Sequence, residues 1–188
     1  MAENEKDLNG LDDMNDLQPI VAKIKQKYPY RGPSFYIVIG MFVVTAVMIM
    51  LCIFTGFLKS GMPSQKWIRY LYVVMGIFLV IVAVPFFFKA KNESKIESAV
   101  LSCRLVTDGV YALVRNPMDT SALFICTGAF FIYGNTYLYA LVLVYWAVLT
   151  VCIKKTEEVW LRREFGKDYA IYYDTVSRFV PMKPGSRY

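Results

Sequence analysis

A chain of 188 residues is about one domain long, and 56% of its residues are hydrophobic, more than an ordinary soluble domain carries. The 21 lysines and arginines exceed the 15 acids by six, a surplus that favours basic flanks of membrane spans over nucleic-acid binding. Histidine is absent, which removes the commonest general base, and the four cysteines lack metal-type spacing, so neither a metal site nor a disulfide framework is predicted.

The N-terminal half predicts two membrane spans behind a polar tail. Residues 1–16 are acidic and residues 17–33 are basic, which indicates a mobile tail followed by a cytoplasmic flank on anionic headgroups. Residues 34–58 contain no charge and exceed the ~20 residues that a helix needs to cross a bilayer. Residues 68–88 form the second apolar run, and we expect Pro85 to kink its end.

The C-terminal half predicts a helical hairpin and a surface helix. Residues 89–115 are too charged to cross a membrane and are expected to form a polar cytoplasmic loop. The apolar runs 118–133 and 137–153 are separated by Gly134-Asn135-Thr136, which suits a tight reversal, although the first arm is short for a full crossing. An apolar stripe then predicts an amphipathic helix that ends before Pro181, with its members at Leu161, Phe165, Tyr169, Tyr172 and Val176.

These elements define the expected fold class and organisation. We predict an all-α integral membrane protein with about four transmembrane helices, a short helical hairpin and a C-terminal amphipathic helix capping a cytoplasm-facing pocket. The predicted units are the tail and basic flank (1–33), two spans and a polar loop (34–103), and a C-terminal region (104–188). Four crossings place both termini in the cytoplasm.

The start of the third apolar run carries the first candidate site. Asn116 suits an N-cap, Pro117 suits the first helical position, and Asp119 complements the positive end of the helix dipole, so these residues can simply begin a helix. The same helix start also predicts an anion site, because free backbone N–H groups and the Arg115 guanidinium are directed to one place.

Two acids after the fourth run provide the second candidate. Glu157 and Glu158 suit the beginning of a solvated helix, where acids are favoured. The hairpin, however, returns them to the membrane face that carries Arg115 and Asn116. We therefore expect a cation and an anion a few ångströms apart, with room for a zwitterion between them.

The ordered motifs of residues 104–182 resemble those of the isoprenylcysteine carboxyl methyltransferase and phospholipid methyltransferase family of integral membrane enzymes. In that family a glycine-x-tyrosine and an arginine-(histidine or asparagine)-proline precede a hairpin. A glutamate pair, a phenylalanine-glycine-x-x-tyrosine and an arginine-phenylalanine-x-proline follow it. The matching residues here are Gly109, Tyr111, Arg115, Asn116, Pro117, Glu157, Glu158, Phe165, Gly166, Tyr169, Arg178, Phe179 and Pro181.

The resemblance implies a membrane methyltransferase that uses S-adenosylmethionine on a lipidic or prenylated acceptor. The implied catalytic residues are Arg115, Glu158 and Arg178. The implied cofactor-binding residues are Gly109, Tyr111, Arg115, Asn116, Pro117, Met118, Glu157, Glu158 and Tyr169, and aromatic walls are expected from Tyr111, Tyr169, Tyr172 and Phe179. If the acceptor is a carboxylate, Arg115 or Arg178 holds it; if it is an amine, Glu157 or Glu158 is the candidate base.

Two departures from the family pattern and two other interpretations stay open. Asp119 stands where the family often has tyrosine, and residues 92–104 lack the leucine-glycine-x-x-tryptophan that the family often carries. The C-terminal portion also looks similar to that of membrane sterol reductases, which hold a nicotinamide cofactor. A non-catalytic helical membrane module, in which the polar clusters only cap helices and anchor headgroups, is the third interpretation.

Overall fold

A computed structural model of the chain describes residues 33–56, 58–93 and 105–180. Its helices are α1 (Pro33–Thr55), α2 (Lys66–Glu93), α3 (Pro117–Tyr133), α4 (Tyr139–Lys155) and α5 (Glu157–Thr175). The regular elements of these residues are all helical, as expected. The predictions for residues 1–32, for most of the loop at 92–104 and for Pro181 lie outside the described residues.

Three stretches are long and apolar enough to cross a membrane, namely Pro33–Thr55, Lys66–Asn92 and Thr136–Lys155. At most 22% of the most apolar window of each stretch is buried inside the protein. A helix whose outer surface stays apolar needs lipid around it. The chain is therefore a membrane protein, and the regular elements of its described residues are helices. The helix α3 has 17 residues and is not among the three stretches, so the fourth crossing stays a prediction.

The helix α2 differs from its predicted bounds at its C-terminal end. Pro85 lies inside the helix, which continues to Glu93 instead of ending near residue 88. Lys89 and Lys91 are consequently helical and exposed rather than part of a loop. Lysines are favoured in the last turn of a helix, and their long side chains reach the polar interface while the backbone stays regular.

The helices α2 and α3 pack most closely, through a glycine on each. A Cβ placed at Gly76 would lie 2.6 Å from the carbonyl oxygen of Gly128, and one placed at Gly128 would lie 2.8 Å from the carbonyl oxygen of Gly76. The absence of both side chains allows the two backbones to meet, as at other membrane helix crossings. Across the bundle, the Tyr145 hydroxyl lies 3.1 Å from the Thr45 hydroxyl and donates to the Met41 carbonyl, which joins α4 to α1.

Two contacts show that α1 and the hairpin of α3 and α4 extend between the same two ends of the helix bundle. At one end the Ser34 hydroxyl at the start of α1 donates to Glu157 at the start of α5. At the other end the fully buried Asn135 side chain donates to the Leu58 carbonyl oxygen, at 2.8 Å. Gly134 closes α3 with a positive φ of 79°, so the predicted reversal is confirmed. The starts of α1, α3 and α5 therefore meet at one end of the bundle.

Candidate functional site

A buried ion cluster joins the segment before α3 to the segment after α5. One carboxylate oxygen of Glu158 accepts from Arg178 Nε at 3.0 Å and from Arg178 Nη2 at 2.8 Å. The same oxygen lies 3.4 Å from Arg115 Nη2. Glu158 and Arg115 are 5% and 7% exposed, so little water screens the pair. The predicted meeting of Arg115 and Glu158 is confirmed, but they contact each other directly and leave no gap for a zwitterion between them.

The backbone explains why these side chains meet. The Arg115 N–H donates to the Ser177 carbonyl at 2.8 Å, and the Asn116 N–H donates to the Arg178 carbonyl at 3.3 Å. The segment after α5 thus runs alongside the entrance to α3 and carries Arg178 to Glu158. These two N–H groups precede the first helical residue and are already used, so the anion site predicted at the start of α3 depends on other donors and stays a prediction.

The entrance to α3 also carries side-chain donors without partners among the described residues. Asn116 occupies the N-cap position, but its side chain makes no capping hydrogen bond, contrary to expectation. Its buried Nδ2 has no partner among the described residues, and neither do the buried Nε and Nη1 of Arg115. Buried donors without partners are costly and rare in native proteins. Three of them on adjacent residues make a set that a bound anionic group would satisfy.

Aromatic side chains of α5 lie against this cluster. The Arg115 guanidinium carbon is 3.9 Å from the ring centre of Tyr173, and that of Arg162 is 4.5 Å from the same ring. Tyr169 and Tyr172 are buried beside Tyr173, and the Tyr172 hydroxyl donates to the Tyr111 carbonyl at 2.7 Å. Burial raises the pKa of Tyr169 to about 12, with a further contribution from the charge of Glu158. Its hydroxyl is therefore neutral at physiological pH.

The predicted stripe of α5 is confirmed, with a break in the middle of the helix. Tyr169, Tyr172 and Val176 form a buried apolar cluster with Leu161 and Phe165 packed against it. Gly166 has a φ of 49° and a ψ of −115°, so two helical segments meet there. A side chain at such a φ is strained, which accounts for glycine at this position.

A second group of acids lies beside the ion cluster, where α1, α3 and α5 begin. Glu157 accepts from the Ser34 hydroxyl, and its pKa is raised mainly by burial. Asp119 lies in the first turn of α3 and is 8% exposed. Burial raises the pKa of Asp119 to about 7, and the negative charge of Glu157 adds to this effect. Among the described residues no hydrogen bond or ion pair is made to the Asp119 carboxyl group.

The other predicted site residues are spread around these two groups. Gly109 and Tyr111 lie in a single 3₁₀ turn, Gly109–Ala112, which packs against α2. Pro117 is the buried first residue of α3, and Met118 beside it is half-buried. Phe179 packs in the core of the membrane helices rather than in the tyrosine cluster, so its role as an aromatic wall stays a prediction.

Two residues of the site were not predicted. Ser34 orients Glu157 from a position more than a hundred residues earlier, and one serine beside a proline carries no signal of such a contact. Tyr173 stacks with Arg115, and its position four residues after Tyr169 was a usable signal, because residues four apart lie on one helix face.

The structure thus defines a helical membrane protein that carries a buried arginine–glutamate cluster at one end of its bundle, with donors that no residue in the described part of the chain accepts from. The sequence profile of the phospholipid methyltransferase family matches residues 62–168, more than half of the chain. The chain belongs to this family, as the motifs indicated. No curated protein and no solved structure matches it significantly. The matched range includes Arg115 and Glu158 and ends before Arg178.

Proposed function

We propose that this protein transfers a methyl group from S-adenosylmethionine to a lipidic acceptor at the end of the bundle where α1, α3 and α5 begin. The observation that carries the proposal is a set of three buried side-chain donors on Arg115 and Asn116 that have no partner within residues 33–56, 58–93 and 105–180. They lie beside the Glu158 carboxylate. Membership of a methyltransferase family supplies the reaction class.

The residues present fit the amino-acid part of the methyl donor. A carboxylate is the anion that Arg115 Nε and Nη1 and Asn116 Nδ2 would satisfy, and Glu158 is the acid for the ammonium group. In this arrangement the amino-acid part lies alongside the Arg115–Glu158 pair and not between its two members. Tyr169 and Tyr172, neutral and buried, offer apolar walls for a purine. When bound, the donor supplies an electrophilic methyl group, and the protein contributes mainly by holding the acceptor in line with it.

Arg178 holds Glu158 in place through two hydrogen bonds, which orients the carboxylate toward Arg115. In this proposal the end of the bundle that carries the site faces the cytoplasm, because Lys89, Lys91, Lys154 and Lys155 all lie there, and lysines near membrane spans concentrate on the cytoplasmic side. Both termini then lie in the cytoplasm, and the acceptor reaches the site from the adjoining lipid.

The test is calorimetric titration of the purified full chain, in detergent, with S-adenosylhomocysteine, the demethylated product. Hydrogen bonds to charged groups are worth about 1.5–3 kcal/mol, so we expect Arg115→Ala to weaken binding at least ~10-fold. Arg163→Ala is the matched control, because Arg163 is exposed on α5, and it should bind like the wild type.

Incubation with labelled donor and a total lipid extract then identifies the acceptor. A labelled lipid product, together with S-adenosylhomocysteine binding, supports the proposal. Absence of binding and of labelled lipid with the wild type contradicts it. Binding of NADPH in place of S-adenosylhomocysteine would instead favour the sterol-reductase interpretation, and loss of folding without any ligand binding would favour the non-catalytic module.

A further inference from the structure

The ring of Tyr173 lies against two arginine side chains, and the methyl-donor site described above assigns it no role. The guanidinium carbon of Arg115 lies 3.9 Å from the ring centre, and that of Arg162 lies 4.5 Å from it. Arg162 precedes the break at Gly166 and Tyr173 follows it, so the Arg162 contact joins the two segments of α5. The face of an aromatic ring attracts cations, and it does so more strongly where water is excluded. Because Arg115 is buried and Arg162 is exposed, the contact with Arg115 is the stronger of the two.

The ion pair with Glu158 does not by itself fix the orientation of the Arg115 guanidinium. The Glu158 oxygen accepts from Arg178 at 2.8 and 3.0 Å, whereas it lies 3.4 Å from Arg115 Nη2, beyond the usual range of an N–H···O bond. Nε and Nη1 of Arg115 have no partner among the residues that the structure describes. The attraction between two charges depends on their distance and hardly on the angle of the guanidinium plane. The direction of these two donors therefore depends on a further contact.

The Tyr173 ring can supply that contact, because it lies on a face of the Arg115 guanidinium and not at its edge. The N–H groups of an arginine side chain lie in the plane of the guanidinium. A separation of 3.9 Å between the Arg115 carbon and the ring centre leaves no room for a guanidinium nitrogen between them. The ring therefore covers a face of the plane, and the in-plane donors Nε and Nη1 stay available to a ligand.

We propose that Tyr173 is a positioning residue of the methyl-donor site, which holds the Arg115 guanidinium so that Nε and Nη1 face the carboxylate of the donor. This inference rests on the proposed function. A ligand that must order a flexible arginine side chain loses part of its binding free energy, and a ring already stacked on the guanidinium removes that cost. Tyr173 lies outside the family motifs of the sequence, and the family profile ends at residue 168, so neither assigns it a role.

The test measures S-adenosylhomocysteine binding to the full chain in detergent by calorimetry. Tyr173→Leu removes the ring, and Tyr173→Phe keeps the ring without the hydroxyl. Tyr70→Leu is the matched control, because Tyr70 is 72% exposed near the start of α2. We expect Tyr173→Leu to weaken binding at least ~5-fold, in the range that a desolvated cation–ring contact and the ordering of one side chain contribute. Tyr173→Phe and Tyr70→Leu should stay within about twofold of the wild type.

A second ligand separates positioning from packing. Decarboxylated S-adenosylhomocysteine lacks the carboxylate that Arg115 would hold but keeps the amino group, the sulfur and the adenosine. Because Tyr173 acts through Arg115 in this proposal, the wild type and Tyr173→Leu should bind this analogue within about twofold of each other. A general disturbance of the site would instead weaken the binding of both ligands by the same factor. If Tyr173→Leu does not fold, Tyr173→Met takes its place with the same expectations, because the flexible methionine side chain fills irregular space.

Equal S-adenosylhomocysteine affinity of Tyr173→Leu and the wild type would overturn the inference. So would equal losses in Tyr173→Leu and Tyr173→Phe, which would assign the role to the hydroxyl, or an equal loss for the decarboxylated analogue. Failure of both Tyr173→Leu and Tyr173→Met to fold would assign the ring to packing alone and would overturn the inference as well. In each of these cases the wild type still binds S-adenosylhomocysteine, whereas failure of the proposed function removes that binding.

Discussion

Asp119 should make the folded protein less stable at neutral pH than in mild acid. Its pKa is about 7 in the folded state against an ordinary value of 3.8. Between these two values the folded state binds more protons than the unfolded state, so the free energy of unfolding falls as the pH rises. The contribution of Asp119 to stability is complete below pH 3.8 and is lost by about pH 7.

The magnitude follows from the same two values. The interval from 3.8 to about 7 is roughly three pH units, and at 1.36 kcal/mol per unit it corresponds to about 4 kcal/mol as an upper limit. Asp119→Asn removes this pH-dependent loss. The asparagine amide is itself a buried polar group that costs about 1–3 kcal/mol, so at pH 8 we expect a net gain of about 1–3 kcal/mol in the free energy of unfolding.

Thermal unfolding in detergent, from pH 5 to pH 8, measures this effect. Cys52 and Cys126 are buried, so a thiol-reactive fluorescent dye reports their exposure as the helices separate. We expect the Tm of the wild type to fall over this range by several degrees more than that of Asp119→Asn, while Asp168→Asn, a control on the exposed face of α5, follows the wild type. Equal pH dependence of the wild type and Asp119→Asn would refute the assignment of a raised pKa to Asp119.

Three further substitutions, with Gly40→Ala as a control, test the packing and the ion cluster. Glu158→Gln leaves the buried Arg115 guanidinium and the partly buried Arg178 guanidinium without a carboxylate. We expect a loss of about 3–5 kcal/mol in the free energy of unfolding together with loss of S-adenosylhomocysteine binding. Gly128→Val places side-chain atoms against the backbone of Gly76, and this overpacking should lower the free energy of unfolding by about 1–3 kcal/mol. Gly40→Ala should change the free energy of unfolding little, because nothing lies within 4 Å of the added Cβ. Gly166→Ala should cost about 1–2 kcal/mol through the backbone alone, because φ is 49° and nothing lies within 4 Å of the added Cβ. Chemical unfolding followed by circular dichroism measures all three.

Each of these expectations has an outcome that contradicts it. A Glu158→Gln protein that binds S-adenosylhomocysteine like the wild type would remove Glu158 from the donor site. Equal effects of the substitutions at Gly128 and Gly40 would show that α2 and α3 do not meet at the glycine pair. No change on Gly166→Ala would mean that the kink in α5 relaxes without cost.

The sequence predicted the helical class and the membrane environment because both depend on composition along short stretches. The uncharged run of residues 34–58 is stable only when lipid or protein surrounds it. In the structure this run forms α1 (Pro33–Thr55). The end of α2 was predicted less well. The charges of Lys89 and Lys91 predicted the end of the apolar run, yet both residues belong to the helix. The free-energy cost of a charge near a membrane depends on where the ammonium group lies, and a long lysine side chain carries that group away from the backbone to the polar interface.

The candidate site, like the fold, was predicted only in part from the sequence. The motifs selected Arg115, Glu158 and Arg178, and the structure brings the three side chains together. The direct ion pairs of Glu158 with Arg115 and Arg178 were not predictable. A motif gives residue types and their spacing, but it does not show whether two charged side chains contact each other or stay apart.

Sequence alone thus determined the membrane environment of this protein, its helical class and its family. The length of a hydrophobic run and the order of motifs are both properties of neighbouring residues in the chain. Only the tertiary structure decided which charges are paired. Ser34, Asp119 and Glu157 come together across more than a hundred residues, and the burial that sets the pKa of Asp119 exists only after three helix ends have packed. Partners and solvation, which control the chemistry of an acid, are set by contacts between segments distant in the chain.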